Sequence, residues 1–60
     1  MAALAHLLTV DEVAEILSVA PYTVRKFARD GALRPVRLAG SQRLRFRPED
    51  VSAFIEASVS

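Results

Sequence analysis

The chain of 60 residues contains no cysteine and only one histidine, His6. Without cysteine, no disulfide or thiolate metal site can staple the fold, and a reducing cytoplasm is an allowed environment. No apolar run approaches the ~20 residues needed to cross a bilayer. The apolar start over residues 1–8 lacks the basic region and the ~15–30 residue length of a signal peptide. We therefore expect one small domain, residues 1–60, of marginal stability that is held by apolar packing alone.

The absence of cysteine and the presence of only one histidine also argue against catalysis. His6 is expected in a tail, and no acidic pair shares a face with a nucleophile. A recombinase-type nucleophile at Tyr22 would need several phosphate-activating groups in a preorganised pocket, for which so small a core has no room. The sequence thus predicts a protein that is not an enzyme and that binds no metal or other cofactor.

Charge is unevenly distributed although its net value is only +1. All eight basic residues lie between positions 25 and 47, in a stretch with a single acid, Asp30. Three acids precede this stretch, and three follow it. Such segregation is expected of a phosphate-binding surface, and it is equally compatible with an ordinary solvated face.

Two helices are predicted in the first half of the chain. Thr9 and Glu12 have the spacing of a capping box, which starts a helix over about residues 10–18 with an acidic outer face. A proline at its first position and a glycine after its end delimit a basic helix over about residues 21–30. A connection of only three residues joins the two helices.

A hairpin and a third helix are predicted in the second half. The stretches 36–38 and 43–47 alternate with period two, so their aliphatic side chains are expected to face inward and their arginines outward. A proline followed by two acids opens a helix over about residues 48–57. Its expected buried stripe is Val51, Phe54 and Ile55.

This order of elements is that of a winged helix-turn-helix, a mainly α fold with a small β-hairpin. The second helix of such a unit enters the major groove of DNA. Because that helix is basic here and the first is acidic, the first-helix acids Asp11, Glu12 and Glu15 are expected to point away from the DNA. The predicted groove residues are Tyr22, Thr23, Arg25, Lys26 and Arg29.

Different roles are expected within this set. Arg25 is the first candidate for a base contact, because a guanidinium can grip guanine bidentately. Lys26 and Arg29 are expected to neutralise phosphates, and Thr23 to contact a thymine methyl group or a phosphate. Tyr22 has the same options, or it covers the edge of the core.

The hairpin, residues 36–46, is the predicted wing. Its candidate DNA contacts are Arg37, Ser41, Gln42, Arg43 and Arg45. Those at the tip suit a phosphate contact or insertion of an arginine into a minor groove. For Arg45 and Arg47, keeping a sheet edge soluble is an equally good interpretation.

Five runs carry a family resemblance: Leu8–Leu17, Thr23–Phe27, Asp30–Gly31, Val36–Leu38 and Arg45–Val51. In this order, over about residues 7–57, they resemble the excisionase family of MerR-like winged helix-turn-helix domains. The resemblance implies a recognition helix at 21–30 and a wing at 36–46. Two positions depart from the family pattern, since many members have a glycine in place of Ser18 and a serine cap in place of Ala20.

The resemblance also implies a role. Excisionases are recombination directionality factors that bind direct repeats on double-stranded DNA cooperatively, associate head to tail and bend the DNA. They thereby direct a partner integrase toward excision, in the cytoplasm of a bacterial host. The long dimerisation helix and effector site of MerR-type sensors are not evident, so neither a small-molecule ligand nor a membrane partner is expected. A small transcriptional regulator with the same surface is the alternative.

Overall fold

A computed structural model describes residues 6–37 and 43–59 as three helices and a three-stranded antiparallel sheet. The elements in chain order are β1 (Leu8–Thr9), α1 (Val10–Leu17), α2 (Pro21–Arg29), β2 (Val36–Arg37), β3 (Leu44–Phe46) and α3 (Pro48–Val59). The predicted winged helix-turn-helix fold is confirmed, and each helix begins at the predicted residue. Ser41 and Gln42, at the predicted tip of the wing, lie outside the described residues.

Helix α1 begins with the predicted capping box. The backbone N–H of Glu12 donates to Thr9 Oγ1 at 3.1 Å, and the backbone N–H of Thr9 donates to Glu12 Oε1 at 2.8 Å. The helix ends at Ser18, which has a left-handed backbone with φ of 60° and ψ of 43°. The N–H of Val19 then donates to the carbonyl of Ala14 at 3.0 Å, which turns the chain sharply toward α2.

Helix α2 has an uncapped start and a well-formed end. Ala20 precedes it in an extended conformation and provides no side-chain hydrogen bond, as the missing serine implied. At the other end Gly31 takes a φ of 83°, and the N–H of Ala32 donates to the carbonyl of Phe27 at 2.9 Å. This bond and the left-handed glycine define a Schellman motif, so the predicted stop signal is confirmed.

The sheet contains one strand that the sequence did not predict. Its order is β1-β3-β2, with Leu8 opposite Phe46 and Thr9 opposite Arg45. The predicted hairpin is therefore the β2–β3 part of a larger sheet, and β3 is its central strand. Because β1 leads directly into α1, this pairing fixes the start of α1 against the wing.

Among the residues that the structure describes, the core consists of six buried side chains from helices, loop and sheet: Val13, Ala14, Val24, Leu33, Phe46 and Val51. Helix α3 joins it through Val51 and through Phe54, whose ring centroid lies 5.0 Å from that of Phe27 in α2. The prediction that Ile55 is buried is wrong, since it is 36% exposed. Because the ring of Phe54 packs against Phe27, the Phe54 side of α3 faces the core. Ile55, the next residue, lies at the edge of the core.

Candidate nucleic-acid interface

Helix α2 separates its polar and apolar sides as the sequence predicts. Val24 is fully buried, whereas Arg25, Lys26 and Arg29 are exposed. Tyr22 is 67% exposed, which leaves its ring available to a partner instead of sealing the core edge. Thr23, assigned to the same surface, is half-buried at the flank of this face. The helix therefore presents a basic face with one aromatic side chain.

Beside this face lies a cleft of about 580 Å³, here called the arginine cleft. It is lined by Arg25 from α2, Arg37 from β2, Leu44 and Arg45 from β3, the adjoining Arg43, and Thr9, Val10 and Asp11 at the start of α1. Arginines from the helix and from the wing thus meet in one concave site. Converging guanidinium groups are suited to phosphate and to guanine, because each offers a planar fork of donors.

The arginine cleft also contains an acid, which corrects one expectation. Asp11 lines the cleft, so the prediction that all three acids of α1 point away from the basic surface is wrong for this residue. Asp11 occupies the second position of α1, and the β1–β3 pairing brings that end of the helix against the wing. Glu12 and Glu15, further along α1, do not line the cleft.

The wing arginines do not all share one face of the sheet. Arg37 is opposite Leu44, whereas Arg45 is opposite Val36. Residues directly opposite in an antiparallel pair share a face, and neighbours along a strand alternate, so Arg37 and Arg45 project from opposite faces. The prediction that both point outward from the same side is therefore wrong, although both line the cleft.

Arg45 is tied to its own surroundings. Its Nη1 donates to the carbonyl of Leu44 at 2.9 Å, and the residue is only partly exposed. Because β3 is the central strand, protection of a sheet edge does not account for Arg45. Its position instead joins the wing to the start of α1.

The carboxylate of Glu12, at the start of α1, is influenced by the charge of Arg45 in the wing. Its pKa is lowered chiefly by the hydrogen bond from the backbone N–H of Thr9, with smaller contributions from the Thr9 side chain and from the charges of His6 and Arg45. Desolvation, the second-largest influence, raises the pKa but does not outweigh the hydrogen bond from Thr9. Glu12 is thus committed to the capping box as an anion.

The remaining basic residues lie away from the arginine cleft. Lys26 and Arg29 extend the basic face along α2, and Arg47 is exposed just before α3. Arg34 lines a second cavity, between the loop after α2 and α3, together with Asp50 and Phe54. Four of the basic residues, Arg25, Arg37, Arg43 and Arg45, thus share the arginine cleft, whereas Arg34 lies at the second cavity.

Within residues 6–37 and 43–59, no three histidine or acidic side chains are grouped closely enough to hold a metal ion. In the same part of the chain, none of the helices is long and apolar enough to span a membrane.

The helix-turn-helix pair, the three-stranded sheet and the basic exposed face of α2 define a winged helix-turn-helix domain of the DNA-binding kind. A family model described as a helix-turn-helix domain matches residues 7–58, and the chain belongs to this family. Comparison with curated proteins and with solved structures gives no significant match.

Proposed function

We propose that α2 enters the major groove while the arginine cleft holds the adjacent DNA backbone and base edge. The observation that carries this assignment is that Arg25, from the middle of the groove helix, shares one cleft with Arg37 and Arg43 of the wing. A helix flanked by a wing can follow the groove and the neighbouring phosphates together. The chain then contributes binding energy and shape, with no catalytic step and no cofactor.

Each side chain has a role in this arrangement. Arg25 contacts guanine O6 and N7, and Thr23 and Tyr22, near the start of α2, contact a thymine methyl group or a phosphate. Lys26 and Arg29 neutralise phosphates along α2. On the wing, the proposed contacts are Arg37, Ser41, Gln42, Arg43 and Arg45.

The particular role proposed is that of an excisionase acting in a bacterial cytoplasm. A single module of this size covers about 600–1,000 Å² on DNA, which is too little for strong specificity alone. Copies bound to adjacent direct repeats would add their contacts and bend the duplex. A bent filament favours the integrase assembly that excises over the one that integrates. The resemblance over residues 7–57 supports this role.

Head-to-tail association would use the acidic side of α1. Glu12 is already held by Thr9, so the exposed Glu15 is the better candidate for contact with the wing of a neighbouring copy. Replacing Glu15 with lysine should reduce cooperativity on a two-repeat duplex and leave binding to one repeat intact. A gel-shift titration on both duplexes measures this difference, and unchanged cooperativity would exclude the contact.

The DNA-contact assignment is tested by two matched variants, Arg25→Ala and Lys26→Ala, on duplexes selected from a random-sequence library. Arg25→Ala should cost about 1–3 kcal/mol and relax base preference at one position, whereas Lys26→Ala should weaken all sequences alike. Both residues are exposed, so neither change disturbs the core. Equal loss of preference in the two variants would contradict the assignment of Arg25 to a base.

The biological role is tested by reconstituted excision with the cognate integrase. Addition of the protein should stimulate excision and inhibit integration, and circularly permuted duplexes should report a bend. DNA binding without any effect on recombination, together with repression of a promoter that carries the selected site, would instead establish a transcriptional regulator.

A further inference from the structure

Among the described residues, Asp11 is the one acid that lines the arginine cleft, and the proposed DNA contacts do not employ it. Its carboxylate is exposed, and the capping box of α1 is completed by Glu12, so Asp11 is not needed for that box. A favourable interaction with the start of α1 would be satisfied equally by an acid that faces solvent. Its place among arginines therefore calls for a separate explanation.

An anion in this cleft has an electrostatic cost when DNA binds. It repels any phosphate that approaches the arginines, whatever the base sequence. The same carboxylate can accept from one edge of a guanidinium fork and leave the other edge free. An arginine held in this way has a fixed plane, which suits the two acceptors of guanine better than a single mobile phosphate oxygen.

We infer that Asp11 is a specificity-determining positioning residue: on DNA its carboxylate accepts a hydrogen bond from Arg25 and directs that guanidinium toward guanine and away from phosphate. Arg25 is the arginine in question because, of the described arginines that line the cleft, it alone belongs to the groove helix. Arg45 already donates to the Leu44 carbonyl. This inference rests on the proposed assignment of Arg25 to a base.

The test compares Asp11→Asn with Glu15→Gln, which removes the same charge from α1 outside the cleft. The probes are a short duplex selected from a random library with the wild-type protein, and a scrambled duplex of equal composition, each long enough for one module. Asp11→Asn should bind the scrambled duplex roughly three- to fivefold more tightly, because one repulsive charge is gone. Its discrimination between the duplexes should fall roughly tenfold, because a neutral amide oxygen accepts a weaker hydrogen bond from Arg25 than a carboxylate does and orients it less firmly.

Glu15→Gln should retain the discrimination of the wild type. A double variant locates the effect: with Arg25→Ala already present, Asp11→Asn should still strengthen binding but should no longer change discrimination. Asp11→Ser, which keeps a short polar side chain in the first turn, repeats the measurement should the asparagine variant fold poorly by circular dichroism.

Three results would overturn the inference. Discrimination by Asp11→Asn could equal that of the wild type, Glu15→Gln could lose as much, or Asp11→Asn could still reduce discrimination when Arg25 is absent. Failure of the proposed function is distinguishable, since the wild-type protein itself would then select no sequence from the library.

Discussion

Ser18, between α1 and α2, has the left-handed backbone that glycine adopts without strain. That conformation costs a residue with a Cβ roughly 1–2 kcal/mol. Ser18→Gly should remove this strain. Because glycine gives the unfolded chain more conformational entropy, about 0.4–1 kcal/mol of the gain in stability is lost. A net stabilisation of about 0.5–1 kcal/mol is expected and is measured by urea unfolding.

Ser52 provides the matched control, since it is exposed within α3. Ser52→Gly should destabilise the fold by about 0.5 kcal/mol, because glycine is a poor helix former. If both changes lowered stability alike, the strain assigned to Ser18 would be refuted.

Glu12 gives α1 a pH dependence. Its pKa is lowered in the folded state, chiefly by the hydrogen bond from the Thr9 N–H. The stability that it contributes is therefore present above the pKa that this carboxyl has in the unfolded chain, and it is lost as pH falls through the lower folded pKa. Glu12→Gln should flatten this part of the stability profile, as measured by thermal unfolding between pH 6 and pH 3, approximately the range over which a carboxylate titrates.

Glu15→Gln is the control for this measurement, since it removes a charge from α1 and leaves the capping box intact. A profile that keeps the wild-type slope in Glu12→Gln would show that the capping box does not couple folding to protonation.

At the scale of elements, the sequence predicted what local chemistry determines. The capping box at Thr9, the proline before Tyr22 and the left-handed Gly31 are signals within a few residues of the helix ends that they set, and the structure has α1 and α2 at these places. Strand β1 was missed because two residues, Leu8 and Thr9, are too few to show an alternating pattern. Its partner β3 is also remote in sequence, so only the folded chain reveals the pairing.

The start of α2 lacks a side-chain cap. Ala20 has the extended backbone of an N-cap, with φ of −72° and ψ of 150°, but it has no side-chain acceptor. Ala20→Ser should place an oxygen near the first free N–H groups of α2 and stabilise the protein by about 1 kcal/mol. Thermal unfolding measures the gain.

Ala53→Ser, at an exposed position inside α3, is the control for Ala20→Ser. There the hydroxyl meets no free N–H group, so a loss of about 0.5 kcal/mol is expected from helix propensity. An equal change in stability in the two variants would exclude a capping effect at position 20.

At the scale of the whole molecule, the clustering of basic residues between positions 25 and 47 indicated a basic surface, but it did not determine which residues would form that surface. The helical pattern of α2 correctly placed Arg25 and Lys26 on an exposed face. The sequence pattern of α1 contained no information on which end of this helix would face the wing. Asp11 was therefore predicted to point away from the basic surface, whereas it lines the arginine cleft. The faces of Arg37 and Arg45 likewise depend on strand register, which the alternating pattern alone left undetermined.

A salt titration tests whether the basic surface acts as one unit. If each module contacts about 4–6 phosphates, log K should fall with log[salt] at a slope of about −4 to −5. Arg37→Ala, in the arginine cleft, should make the slope shallower by about 1 for each phosphate that the variant no longer neutralises. Arg34→Ala should leave it unchanged, because Arg34 lines the other cavity. A slope near −1 for the wild type, or equal effects of the two variants, would mean that the cleft does not face the DNA backbone.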